Sequence, residues 1–214
     1  MKKQNRKRDQ RKREQKELRR KAVLATKSGQ TSSSRSLLQQ ARAAASRFGV
    51  NYCMITEAIF DIGIGYVVLG RTKSPTTVAT AVLLVDVYCL GVKNGFYVEL
   101  THAKFSEMVK GLAETESAFV DIAPACARKI VAGAVEYATQ LGFAPHDAYP
   151  AAEALFGDID PHSCSTEYAF GNDGKPYFIS GPHDTPAKIR KVIRVLTDRV
   201  GEGNFDYIAR VDGL

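Results

Sequence analysis

A chain of 214 residues that is 44% hydrophobic, with no tryptophan, has apolar material for one core and an appended segment. Its formal charge of +7 is unevenly placed: the stretch up to Arg47 holds sixteen Lys/Arg against Asp9, Glu14 and Glu17, a net of +13, which leaves the remainder at −6. The longest apolar run is too short and interrupted to cross a bilayer, and no apolar h-region follows the charged start, so no membrane partner and a cytoplasmic location are expected.

Residues 2–21, KKQNRKRDQRKREQKELRRK, tolerate helix but carry no apolar face, so they are expected to be disordered alone and helical on a polyanion. Residues 26–36 read as a flexible linker, which makes 1–36 a basic arm and 37–214 a single domain. Residues 37–48 predict a short lead-in helix with Gly49 behind it, and the body starts near Val50. From Ile59 to Arg71 apolar residues alternate as in a strand, with Gly63 and Gly65 on one face leaving a strip for close approach by a helix or a ligand. A turn over 72–77 leads into a central strand read across Val78 to Phe96, rich in β-branched residues and covered on both faces. Gly95 to Leu100 reads as a further strand and 104–114 as a helix. Pro124 opens a longer helix running to Leu141, with apolar positions Ala127, Ile130, Val131, Ala134, Ala138 and Leu141, closed by Gly142. A short helix begins at Pro150 and stops at Gly157. Tyr168 to Ser180 reads as a hairpin with an Asn-Asp-Gly tip. Thr185-Pro186 starts a helix that buries Ile189, Val192, Ile193, Leu196 and Val200, ends at Gly201, and turns Lys188, Arg190, Lys191 and Arg194 outward. A last strand runs from Phe205 to Val211. The fold class expected from this order is α+β, a mostly antiparallel sheet with helices packed over it.

Cys53, Cys89, Cys126 and Cys164 are widely spaced with no Cys-x-x-Cys pair, so reduced core thiols are expected rather than a zinc ribbon. Three stretches carry candidate chemistry. Asp86, in the middle of the apolar run, needs a partner, because an ionised unpaired carboxylate there costs several kcal/mol. That partner is either Lys93 or a neighbouring loop, or else Asp86 is a metal-binding or acid/base carboxylate. Asp158 and Asp160 are spaced to chelate one hard cation, or equally to bond backbone N–H groups in a turn after Gly157. His183 beside Asp184 offers a proton-transfer group near a carboxylate, although Asp184 also suits the entry to the helix capped by Thr185. Together Asp86, Asp158, Asp160 and His183 are the candidate catalytic set. Tyr66, Tyr88, Tyr97, Phe170 and Tyr177 offer a base-stacking platform or, equally, core aromatics. No phosphate loop, HExxH or GxSxG motif occurs in the sequence.

The segments VDVYCLGVKN (85–94), ALFGDIDP (154–161) and FGNDGKPYFISGP (170–182) resemble an uncharacterised family of bacterial proteins, over most of residues 50–210. The resemblance brings no reaction or catalytic residue with it. From the residues, the favoured function is binding RNA or a ribonucleoprotein, RNA or ribosome ahead of DNA. The phosphate contacts fall to Lys2, Lys3, Arg6, Lys7, Arg8, Arg11, Lys12, Arg13, Arg19 and Arg20 of the arm and to Lys188, Arg190, Lys191 and Arg194 of the body. No cofactor is expected in that reading. The alternatives are a Mg²⁺-dependent phosphodiesterase or nuclease on Asp86, Asp158 and Asp160, and a protein-interaction module.

Overall fold

The computed structural model describes residues 34–115, 118–181 and 184–209. The arm residues before Ser34, and His183, lie outside them. A helix over residues 34–47 (α1) leads into β1 (Val50–Thr56), a helical turn α2 (Ile59–Ile62), β2 (Ile64–Ser74), β3 (Thr77–Asp86) and β4 (Gly91–Thr101). Helix α3 (His102–Thr115), β5 (Phe119–Asp121) and α4 (Pro124–Gln140) follow, then α5 (Tyr149–Glu153) and two short 3-10 turns. The chain closes with β6 (Tyr177–Ile179), α6 (Pro186–Val200) and β7 (Asp206–Ile208). Strands β4-β3-β2-β1-β5 form one antiparallel sheet, and β6 and β7 pair in parallel beside it. The fold is α+β, with a mostly antiparallel sheet and helices over it.

Strand β3 shows why the sheet needs two covers. Ala81, Leu83 and Val85 point into a core shared with α1, α4 and α5, while Val78 and Val82, on the opposite face, pack with Phe105 of α3. This is the period-two consequence of a strand buried on both faces. A third apolar cluster docks α6 onto the end of the sheet, joining Ile189, Val192 and Leu196 to Cys89, Leu90 and Phe178.

The central run differs from the single strand expected over Val78 to Phe96. It is a hairpin: β3 ends at Asp86, residues 87–90 turn, and β4 starts at Gly91 with φ +66°. The composition is uniformly apolar because the turn itself is buried, with Val87 and Cys89 both fully covered. Ile59 also does not extend the following strand. It opens a helical turn that Gly63 ends at φ +86°. A Cβ on Gly63 would stand 2.0 Å from Tyr88 Cδ2 and one on Gly65 2.8 Å from Thr56 Cβ, so the close approach foreseen at these glycines belongs to the Tyr88 ring at the first and to Thr56 and Ile59 at the second. The Asn-Asp-Gly segment does turn tightly, with Asp173 and Gly174 at positive φ, but it makes only an isolated bridge between Asn172 and Lys175. The expected hairpin partner is replaced by β7, which takes up β6 from the far side of α6.

The cysteine expectation is half corrected. Cys53 and Cys89 are buried thiols, whereas Cys126 and Cys164 form a disulfide that ties the first turn of α4 to the segment after α5. That segment is pinned further by two arginines. Buried Arg71 donates from Nε to Leu155 O at 2.8 Å and from Nη2 to Phe156 O at 3.0 Å, and it also donates to Phe48 O. Arg128 donates to the Gly157 and Ile159 carbonyls and pairs with Glu153.

Candidate nucleic-acid interface

Asp86 is 5% exposed and its carboxylate serves the turn it precedes. One oxygen accepts the backbone N–H of Tyr88 at 3.0 Å and of Cys89 at 2.8 Å, closing the β3–β4 connection from the side chain. Burial pushes its carboxyl up, opposed by the nearby Lys93 charge and by those amides. The neighbouring loop and Lys93 together are therefore its partners.

Asp160 caps the 3-10 turn Pro161–Ser163, accepting from His162 N at 2.9 Å. Asp158 follows Gly157 and sits in the field of the Arg71 guanidinium. Asp86 pairs across the sheet with Ile64, and Arg71 lies seven residues further along the same strand, about 23 Å away at some 3.3 Å per residue. Asp86 and the Asp158–Asp160 pair thus stand at opposite ends of β2, and the three-carboxylate centre expected from sequence does not assemble. Among the described residues, no group of three or more His, Cys, Asp or Glu side chains converges as a metal site would require. The proton-transfer pair is also redirected at its described end. Asp184 accepts the Gly181 N–H at 2.8 Å and pairs with Lys188 at 2.5 Å, and Thr185 caps α6 by accepting from Lys188 N. Burial pushes the Asp184 carboxyl up, but the bonds from Lys188 and Gly181 outweigh it and hold it below the usual carboxylate range.

The aromatic platform is likewise absorbed by the core. Tyr88 and Tyr97 are buried, with their hydroxyls bonded to Phe60 O and Glu99 respectively, and Phe170 stacks on Tyr137.

The basic helix is where charge and shape meet. Lys188, Arg190, Lys191, Arg194 and Arg199 are exposed along α6, against the single acid Asp198. From Phe48 onward the chain has fourteen Lys/Arg and twenty Asp/Glu, so α6 gathers five cations on a body that is otherwise strongly acidic. At 100° per residue the helix divides into two flanks. Lys188, Lys191 and Val195 face a cleft of about 490 Å³, which their side chains line; Arg190 and Arg194 turn to the outer side. The opposite wall comes from Leu90, Val92 and Lys93 of the β3–β4 hairpin, and the end wall from Phe143 and His146 after α4. That loop is fixed in place by the Phe143 N–H to Ala138 O and the His146 N–H to Val92 O, both 2.9 Å. His146 Nδ1 accepts from Ala148 N at 3.2 Å, which assigns its hydrogen to Nε2.

Sequence reasoning found the α6 cations through helical periodicity. It reached Lys93 only as a partner for Asp86, and it missed Phe143 and His146. No local pattern marks these three; they meet α6 only because the hairpin and the post-α4 loop end on the same side of the sheet. Lys93 also lines a second, smaller cavity with Asp86, Tyr88 and Tyr177. Among the described residues, Lys191 makes no ion pair, while Lys188 is already paired with Asp184. The arrangement offers fixed positive charge beside an apolar hollow. No family model, no curated protein and no solved structure matches the chain.

Proposed function

We propose that this protein binds RNA, through the phosphate backbone, using α6 as the folded contact and the N-terminal arm as added charge. The observation that carries the reading is the cationic density of α6, five Lys/Arg against one acid on an acidic body. Charge that merely kept the protein soluble would not need to oppose the sign of everything around it. Lys93 extends the field across the cleft, and the arm, residues 1–36, contributes fourteen Lys/Arg. RNA and ribonucleoprotein particles suit a surface that combines phosphate contacts with an apolar hollow, because single-stranded regions expose bases as well as backbone. We place the protein in the cytoplasm, where such partners are abundant. In that compartment thiols are held reduced, so the Cys126–Cys164 pair must resist the glutathione pool to persist.

The test is a salt titration of RNA affinity for the wild type, for Arg190→Glu/Arg194→Glu, and for a chain lacking residues 1–36. If about six charges meet phosphates, affinity falls on the order of a thousandfold between 50 and 200 mM salt. The double charge reversal is expected to weaken binding at least tenfold and flatten the salt slope. Salt-insensitive binding, or binding unchanged by both alterations, refutes the proposal.

A second reading, a protein-interaction module, is favoured by one separate feature: Ile62, Ile179 and Ile208 are 46%, 38% and 55% exposed at the β6–β7 end. Ile208→Lys lowering recovery of a protein partner without changing RNA affinity would separate the two.

A further inference from the structure

We infer that the cleft between α6 and the β3–β4 hairpin seats one unstacked nucleotide of single-stranded RNA. The inference rests on the RNA-binding reading and adds strand selectivity to it. Its two halves suit the two halves of a nucleotide. Phe143 and Val195 supply an apolar wall for a base, and Phe143, half-buried against the α6 cluster, puts an aromatic side chain in that wall. Lys93 of the hairpin and Lys191 of α6 both line the cleft; Lys93 already faces the Asp86 charge, so Lys191 brings the open positive charge to where a phosphate would lie. His146, whose Nδ1 is engaged by Ala148 N, keeps Nε2–H as a donor for an acceptor on the base edge.

The volume, about 490 Å³, falls within the range of pockets that enclose small ligands. A duplex cannot use it, since its bases are stacked and paired away from such a hollow, whereas a single strand can swing one base in. The same division appears on α6 itself. Lys188 and Lys191 belong to the cleft flank, and Arg190 and Arg194 belong to the outer flank that any phosphate backbone can reach. Of the acids around the cleft, Asp86 accepts from backbone amides and Asp184 is engaged by Lys188 and Gly181, while Asp147 follows His146 and Asp198 stands two turns along α6 from Lys191. None of them forms an ion pair with Lys191 among the described residues, so its charge stays open to a phosphate.

The experiment compares fluorescence anisotropy of a labelled single-stranded RNA dodecamer and its duplex at one fixed salt concentration. The wild type is expected to prefer the single strand about tenfold. Phe143→Leu, which keeps apolar packing but removes the ring, is expected to cost the single strand about fivefold or more, the scale of one lost base stack. Duplex affinity should change less than twofold. Lys191→Gln, at an exposed position, provides a second variant for which folding is not in question and should also lower the single-strand preference. Arg190→Glu/Arg194→Glu should weaken both RNAs alike. Equal affinity for the two RNAs in the wild type, or a preference unchanged by both cleft variants, overturns the inference while leaving backbone binding intact. Failure to bind either RNA at low salt overturns it together with the reading on which it rests.

Discussion

Removing the Cys126–Cys164 bond should lower stability without dismantling the fold. The bond closes a loop of 38 residues. Chain-entropy arithmetic for a loop of that size gives a loss of about 4 kcal/mol on opening it. For a protein of this length, each kcal/mol moves the melting temperature by about 2–4 °C, so the expected drop is about 8–16 °C. The loop should nevertheless stay docked in the native state. Arg71 and Arg128 hold its carbonyls from Leu155 to Ile159, and Lys129 donates to Cys164 O while pairing with Glu167. The destabilisation therefore acts mainly through a freer unfolded chain. The assay is thermal melting of wild type with and without reductant beside Cys126→Ala/Cys164→Ala, with mass spectrometry to verify the oxidation state. Reductant should lower the wild-type midpoint toward that of the double variant and leave the variant itself unmoved. A verified disulfide whose removal shifts the midpoint by less than about 3 °C, below one kcal/mol's worth, would refute the loop-entropy reasoning.

Asp86→Ala strips the acceptor from the buried N–H groups of Tyr88 and Cys89, and at about 1–3 kcal/mol for each should cost about 2–6 kcal/mol by urea denaturation. Asp86→Asn keeps an acceptor and should cost less. Because burial raises the Asp86 carboxyl above its unfolded value, its contribution is most favourable at low pH and is lost as pH rises through the folded pKa; Asp86→Asn should remove that component from the pH profile of stability. Gly63→Ala adds a methyl where Tyr88 already stands, at φ +86°, and should cost about 2–4 kcal/mol in the same denaturation experiment, whereas Gly174→Ala, with open space around it, should cost less.

How far the chain announces its structure can be followed at particular residues. Helix α6 was legible from Thr185 to Gly201 because each part of it is local: the cap, the proline in the first turn, the apolar stripe and the terminating glycine lie within one continuous segment. The two-sided burial of β3 was legible too, since a strand covered on both faces has no polar side to show. The same uniformity concealed the turn at residues 87–90. A buried turn carries the composition of a strand, and its signal was the carboxylate of Asp86 bonding the next backbone amides. Cys126 and Cys164 gave no spacing signature because their meeting depends on α4 passing the segment after α5. The charge of α6 was written in the sequence, but its opposition to Lys93, Phe143 and His146 was decided by tertiary packing. Periodicity fixes which face of an element looks outward, whereas a cleft is made by elements that loops and a shared core bring together from distant parts of the chain.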